Sequence, residues 1–421
     1  MPLRRDLSLA RGLAERAWKS RRQRRRLEKL GDDGRRPEPG TVRVAVYFAD
    51  TSVNMYQIRQ WYAPLAHLAE TVHVAIVARS PGAMLALLEE SPVPVVYARQ
   101  VVDLEEFVDS QPLAMTLYVN QNAKNFQMMR YGRMWHVFVN HGESDKMYMT
   151  TNQFKAYDYA FIAGDAARAR LDAALWDYDL DRRALQIGRP QADHAAGKPP
   201  FEADGRIVVL YAPTWEGDRP AATYGSIATH GVRLAEALLA SGRHRLVYRP
   251  HPRSGVVDRD YRRAHEAVVA AIEAANAAVP GAGHIYDTSP QLGWQLTAAD
   301  VAVTDVSAMI YDRLATGRPL LVTRPTSPEA DVDERGYLGA AEWLDAAEAD
   351  DVVDVVDRVR DDPEARRRLD HWVRRYFGDT TPGAATERFE DAVRKLVDLR
   401  DDYARRDEAR RDGALGDIAS A

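Results

Sequence analysis

Short apolar runs alternate with helix-patterned segments along most of the chain, and that alternation leaves few folds open. The clearest unit is Asp300–Thr323. Val301–Val303 reads as a buried strand, Ser307 stands where a helix N-cap belongs, and Met309, Ile310 and Leu314 follow near helical spacing. Gly317 and Pro319 stop the helix before the next strand, Leu320–Val322. Such a strand–helix–strand unit crosses over right-handed into a parallel sheet. The same alternation predicts strands at Val42–Phe48, Val72–Val77, Val93–Tyr97, Met115–Val119, Trp135–Asn140, Tyr159–Ile162 and Leu185–Ile187, with helices over Met55–Ala69 and Gly82–Glu90. Gly188–Gly205, carrying Pro190, Pro199 and Pro200, interrupts it. Strands at Ile207–Tyr211, Arg245–Tyr248 and His284–Tyr286 then lead back to the Asp300 unit, with helices over Val232–Leu239 and Tyr261–Ala275. The expected class is α/β, two Rossmann-like domains facing across a crevice that binds ligand at the carboxyl ends of the strands.

The expected boundaries are an arm and linker over 1–40, a first domain over 41–190, a second over 206–383, and a C-terminal helix with a charged tail over 384–421. A length of 421 residues suits two domains that each bury a core. The chain has no cysteine, so disulfide frameworks and thiolate metal sites are out, which fits a reducing cytosol. A net charge of −5 carries no general nucleic-acid signal. No apolar run approaches the ~18–20 residues of a membrane span. The arm differs from the rest. Leu3, Leu7, Ala10, Leu13, Ala14, Ala17 and Trp18 recur at helical spacing, and Arg21, Arg22, Arg24, Arg25 and Arg26 follow. A basic amphipathic helix over residues 1–30 suits the anionic inner face of a membrane, where each charge is worth about 1 kcal/mol. A solvated arm and a nucleic-acid arm are the other two readings of the same pattern. Residues from Arg405 onward read as solvated and frayed.

Four stretches bring polar groups to expected strand ends. In Asn140-His141-Gly142 an accessible histidine precedes glycine, and an ordinary pKa near 6.5 suits a general base at neutral pH. A hydrogen-bonded loop histidine is the plainer reading. In Pro213-Thr214-Trp215 the threonine can donate to a phosphate, while Trp215 either packs on a ligand or fills the crevice. In Arg249-Pro250-His251-Pro252-Arg253 two prolines stiffen a cationic cluster into a clamp for a phosphoryl group, or simply make a basic surface turn. In Thr304-Asp305-Val306-Ser307 small hydroxyl side chains and unpaired N–H groups sit at a helix start, either an anion site or a plain cap. There is no P-loop and no zinc-helix motif.

Taken together and in this order, the four stretches resemble the CDP-glycerol glycerophosphotransferase family, the primases and polymerases of wall teichoic acid and related polymers. The likeness is carried by His141, Gly142 and Lys146; by Pro213, Thr214 and Trp215; by Arg249, His251 and Pro252; and by Thr304, Asp305 and Ser307. Gly317-Arg318-Pro319 and Arg335-Gly336-Tyr337 add to it, so that it covers roughly residues 135–340. Glu143-Ser144-Asp145, Val306 and Ala308 depart from the family's usual residues. The resemblance implies a glycosyltransferase-B fold, with the donor nucleotide on the second domain and the acceptor approaching from the first. It implies a CDP-glycerol or CDP-ribitol donor, a polymer or lipid-linked acceptor, and release of CMP. His141 would then be the base. His251, Arg249, Thr304, Asp305, Ser307 and Thr214 would hold the donor diphosphate, with Gly142, Lys146, Arg318 and Arg335 as further motif residues. No metal site is visible, so no cofactor is expected to be obligatory, and Mg²⁺ is left open. The implied location is cytoplasmic, at the inner face of the membrane. Two other classes stay open: a nucleotide-sugar glycosyltransferase or epimerase of the same fold, and a non-catalytic polymer-binding relative.

Overall fold

The computed structural model describes residues 18–30, 36–142, 151–194, 197–289 and 292–419. Two wholly parallel sheets organise them. The first runs β3-β2-β1-β4-β5-β6-β7, built from β1 (Val44–Phe48), β2 (Val74–Ala78), β3 (Val95–Tyr97), β4 (Met115–Tyr118), β5 (Trp135–Phe138), β6 (Tyr159–Ile162) and β7 (Ala184–Gln186). The second runs β10-β9-β8-β11-β12-β13, built from β8 (Ile207–Ala212), β9 (His244–Tyr248), β10 (Ile285–Tyr286), β11 (Val301–Thr304), β12 (Leu320–Thr323) and β13 (Glu342–Leu344). In both sheets the order reverses beside the first strand, so that β1 lies between β2 and β4 and β8 between β9 and β11. Such reversal points leave a crevice at the carboxyl ends of the strands.

Strand periodicity explains the layers. Val44, Val46 and Phe48 bury one face of the first sheet, and Ala45 and Tyr47 bury the other against Leu104, Phe107 and Met128. The first face is closed by the helix Ala384–Ala419, whose Phe389, Val393 and Leu396 are buried with Val44 and Val46. The chain therefore crosses from the first sheet to the second and returns to the first. Capping chemistry sets the helix starts. Ser80 accepts from the Ala83 N–H with Pro81 at the first helical position, and Asp362 does the same ahead of Pro363.

Three local expectations change. The helix expected over Met55–Ala69 is broken into Met55–Arg59 and Tyr62–Leu68. Pro64 has no N–H for the Gln60 carbonyl and its ring crowds that turn, so it is tolerated only near a helix start. The chain from Arg405 does not fray but continues as helix to Ala419. Tyr403 packs on Trp135, and Asp407 pairs with Arg133 at 3.0 Å. β13 and the helices Val352–Asp361 and Pro363–Phe377 were not anticipated. In the arm, residues 1–17 lie outside the described residues, and 18–30 form a helix. Its Leu27 packs on the first-sheet core, Arg26 pairs with Glu89 at 3.1 Å, and Lys19, Arg21, Arg22 and Arg25 stay exposed.

Candidate active site

The turns after β8, β9 and β11 meet at the reversal point of the second sheet and enclose a cavity of about 380 Å³. Thr214, Arg249, His251 and Ser307 line it, together with Tyr286, His265 and Asp312. Buried carboxylates shape these turns. Asp305 is fully buried; it accepts the Thr214 N–H at 2.7 Å, the Ser226 N–H at 3.1 Å and the Thr323 hydroxyl at 2.6 Å. Burial pushes its carboxyl up to about 6, against the pull of those bonds. Glu216 accepts the N–H groups of Gly255, Val257 and Asp258, folding the segment after His251 back on itself. Asp287 holds Arg249 at 2.5 Å and accepts from Ser289 and Gln295. Burial alone would raise the Asp287 carboxyl, but the bonds from Ser289, Arg249 and Gln295 hold it below its ordinary value.

His251 is exposed at the rim. Its Nδ1 accepts the Arg253 N–H at 3.2 Å, so the proton of the neutral ring sits on Nε2, a donor. Burial lowers its pKa, Arg253 lowers it further, and Glu216 opposes them. The two guanidiniums of the cluster take separate seats. Arg253 stacks over Trp215 at 3.7 Å, and Arg249 turns away to Asp287. Trp215 is thus a platform for Arg253.

Across the crevice, His141 follows β5. Asn140 takes a left-handed conformation (φ 57°) and its carbonyl accepts the Trp61 indole N–H at 2.5 Å. This turns the chain so that His141 Nδ1 meets the Val119 carbonyl at 2.9 Å. A carbonyl only accepts, so Nδ1 carries the proton and the lone pair is on Nε2. The ring packs edge-on to Tyr56. Burial lowers the His141 pKa, the Val119 bond opposes, and Arg189 lowers it further, so the ring is neutral at pH 7. Tyr56 borders a second cavity of about 380 Å³ between the halves, which shares Arg249, Leu292 and Asp312 with the donor-side cavity.

Several expected site residues stand elsewhere. Thr304 and Asp305 are fully buried and line neither cavity; the Asp305 carboxylate instead braces the turns that do. Ser307 does line the cavity, but the helix begins one residue later, with Ala308 as N-cap, and Ser307 Oγ accepts the Met309 N–H at 3.3 Å. Arg318 reaches the Ala299 carbonyl at 3.4 Å, and Arg335, 90% exposed, pairs with Asp333; neither borders a cavity described above. Gly142 remains beside His141, and its carbonyl accepts from Asn140 at 2.6 Å. Lys146 lies outside the described residues. Sequence reasoning missed Tyr286, Asp287, Asp312 and Arg189, which carry no motif of their own. Among the described residues no group of three or more His, Asp or Glu side chains could hold a metal ion, and no helix is long and apolar enough to cross a membrane.

The family pattern described as CDP-glycerol:poly(glycerophosphate) glycerophosphotransferase matches residues 119–395. The chain belongs to this family. As a glycerophosphotransferase-family enzyme it transfers glycerol phosphate from a CDP-linked donor to a hydroxyl acceptor and releases CMP. Its architecture is shared with solved proteins of low identity. A putative UDP-N-acetylglucosamine 2-epimerase from Listeria monocytogenes aligns with a TM-score of 0.53 at 13% identity, covering 82% of this chain and 94% of that one. A variant of the wall teichoic acid polymerase TagF soaked with CDPG gives 0.53 at 13% identity, covering 94% and 98%. TagF itself gives 0.51 at 14% identity over the same shares. These likenesses establish the glycosyltransferase-B type fold shared by both kinds of protein. No curated protein matches the chain.

Proposed function

We propose that the glycerophosphotransferase reaction runs across the crevice between His141 and His251, with residues 206–383 as the donor domain and residues 41–190 as the acceptor domain. CDP-glycerol occupies the cavity after β8, β9 and β11. Ser307 and Thr214 donate to its diphosphate, His251 donates through Nε2, and Arg249 contributes charge from its seat on Asp287. Tyr286 and His265 form the aromatic wall for the base. The acceptor hydroxyl gives its proton to His141 Nε2 as its oxygen attacks the glycerol-bearing phosphorus. The bond from that phosphorus to the bridging oxygen breaks, and CMP leaves. Such a transfer depends on positioning and charge stabilisation more than on covalent help. The observation that carries the reading is the Nδ1–Val119 bond, which leaves a neutral His141 with its lone pair on Nε2. The acceptor is a polyol-phosphate polymer end or its lipid-linked primer. The exposed arginines of the N-terminal helix support docking on an anionic membrane surface, which would bring such an acceptor to the first domain.

The test is nucleotide release. The protein is incubated with CDP-glycerol, CDP-ribitol and UDP-N-acetylglucosamine, each with and without a lipid-linked polyol-phosphate acceptor. CMP that appears only with acceptor, and fastest from CDP-glycerol, supports the reading. Faster release from CDP-ribitol would change the polyol. UDP release or sugar isomerisation would favour the epimerase-like alternative.

A further inference from the structure

Arg189 has no place in the reading above, yet it stands in the middle of the crevice. Gly188 sets it there. At φ +70° only glycine is at ease, and a Cβ at that position would come within 3.0 Å of the Phe377 carbonyl oxygen. The Arg189 side chain is 12% exposed and crosses from the first half to the second, where Nη2 pairs with Oδ1 of Asp312. Asp312 belongs to the helix that follows Ser307 and lines the donor-side cavity. The other edge of the guanidinium is unused: Nη1 is buried and has no hydrogen-bond partner. A guanidinium is a planar fork, able to hold a carboxylate on one edge and a second anionic oxygen on the other. A buried N–H of a cation without an acceptor is a costly arrangement, which an arriving anionic oxygen relieves. Arg189 also lines the interdomain cavity and acts electrostatically on His141, so it lies between the base and the donor-side turns.

We propose that Nη1 of Arg189 binds a non-bridging oxygen of the phosphoryl group in transfer, while Asp312 holds the other edge of the guanidinium. The inference rests on the reaction proposed above. As the acceptor oxygen bonds to phosphorus and the bridging oxygen departs with CMP, charge is spread over the non-bridging oxygens. A preorganised cation in a water-poor crevice stabilises that charge. His141 still takes the proton. A purely structural role, in which Arg189 only latches the two halves through Asp312, is the alternative to defeat.

The experiment measures CMP release and donor affinity for wild type, Arg189→Ala, Arg189→Lys and Asp312→Asn, with thermal melts to confirm folding. Arg189→Ala should lose ~10²–10³-fold in kcat, the range for removing one donor to a developing oxyanion. Added ethylguanidinium should restore part of the rate, and ethylammonium at equal ionic strength should restore less. Arg189→Lys should recover only partly, because an ammonium cannot span both partners. Asp312→Asn should lose much less than Arg189→Ala. If Arg189→Ala turns over like wild type, or if it falls only as far as Asp312→Asn and no guanidinium rescues it, the proposal is overturned and the pair is a latch. Should Arg189→Ala fail to fold, Arg189→Lys matching wild-type kcat overturns it equally. Failure of the underlying reading looks different: wild type itself would release no CMP, and both ideas would fall together.

Discussion

The two histidine turns belong to opposite halves of the molecule and carry opposite tautomers. His141 gives its Nδ1 proton to a carbonyl and keeps a lone pair on Nε2, whereas His251 receives a backbone N–H on Nδ1 and keeps its proton on Nε2. One turn is built to take a proton and the other to offer one. Their supports differ as well. Three carboxylates, Asp305, Glu216 and Asp287, pin the loops around His251, with at least three hydrogen bonds apiece. The His141 turn rests on the Val119 carbonyl, the Trp61 indole and a left-handed Asn140. A donor common to every cycle suits a fixed seat. Under the proposed reaction the less heavily braced turn is the one that meets the acceptor.

Removing each histidine should separate the two roles most strongly. His141→Ala should lower turnover by about 10²–10⁴-fold while leaving CDP-glycerol affinity near wild type, since a base acts only on the attacking hydroxyl. Calorimetry run beside CMP release checks both halves of the statement, and a normal turnover number would reduce His141 to a structural residue. The bracing is tested at Asp305. Asp305→Ala leaves two buried N–H groups unpaired and should destabilise the protein by about 1–3 kcal/mol for each. Asp305→Asn, which can still accept both, should lose much less. The pH dependence follows from the sign of the shift. The folded pKa of Asp305, about 6, lies above the unfolded value of 3.8. Its contribution is therefore complete below the unfolded value and is lost as pH rises through about 6. Denaturant titrations should show wild type losing stability over that window relative to Asp305→Asn; parallel pH profiles for the two would contradict the shift.

On the donor side, His251→Ala and Ser307→Ala should each weaken CDP-glycerol binding by about 1–3 kcal/mol, the worth of a hydrogen bond to a charged group. His251→Ala should lower turnover too, because a clamp touches the diphosphate before and during transfer. Affinity unchanged in Ser307→Ala would leave that hydroxyl with only its Met309 contact. A further probe lies in the N-terminal helix and leaves the chemistry untouched. Exchanging Arg21, Arg22, Arg24, Arg25 and Arg26 for Gln should weaken co-sedimentation with anionic vesicles by about 1 kcal/mol per charge. Turnover of a soluble acceptor should be unaffected. Wild-type protein that ignores such vesicles at low salt would remove the membrane from the picture.

The alternation of apolar runs made both sheets legible, because a strand covered on two faces must be apolar throughout. β13 escaped because Glu342-Trp343-Leu344 is short and opens on a charge. The helix break before Pro64 was legible in principle, and the covering role of Ala384–Ala419 was not, since nothing local says which sheet a helix will meet. Motif spacing picked out Thr214, His251 and Ser307, which line the cavity, and His141, which lines neither cavity. It could not separate residues that line the cavity from residues that shape it. Thr304 and Asp305 belong to the second kind, because the sheet is covered on both faces and the end of β11 stays buried. Arg189 gave no signal at all. It matters only because Gly188 turns the backbone and Asp312, more than a hundred positions later, comes to meet it.

The return of Ala384–Ala419 to the first sheet has a consequence for how the protein is made. During translation all seven strands of that sheet leave the ribosome before the residues that cover one of its faces exist. Until Phe389, Val393 and Leu396 emerge, Val44, Val46 and Trp61 have only the early helices carrying Met55, Ile58, Leu65 and Leu87 as cover, and the rest of that apolar surface stays open while the whole second sheet is synthesised. The first half is thus early in sequence but late in completion. A closure between residues so distant is entropically slow and exposed to aggregation. A ribosome stalled once the helix Pro363–Phe377 has emerged would be expected to hold a covered second sheet beside a first sheet still lacking Phe389, Val393 and Leu396.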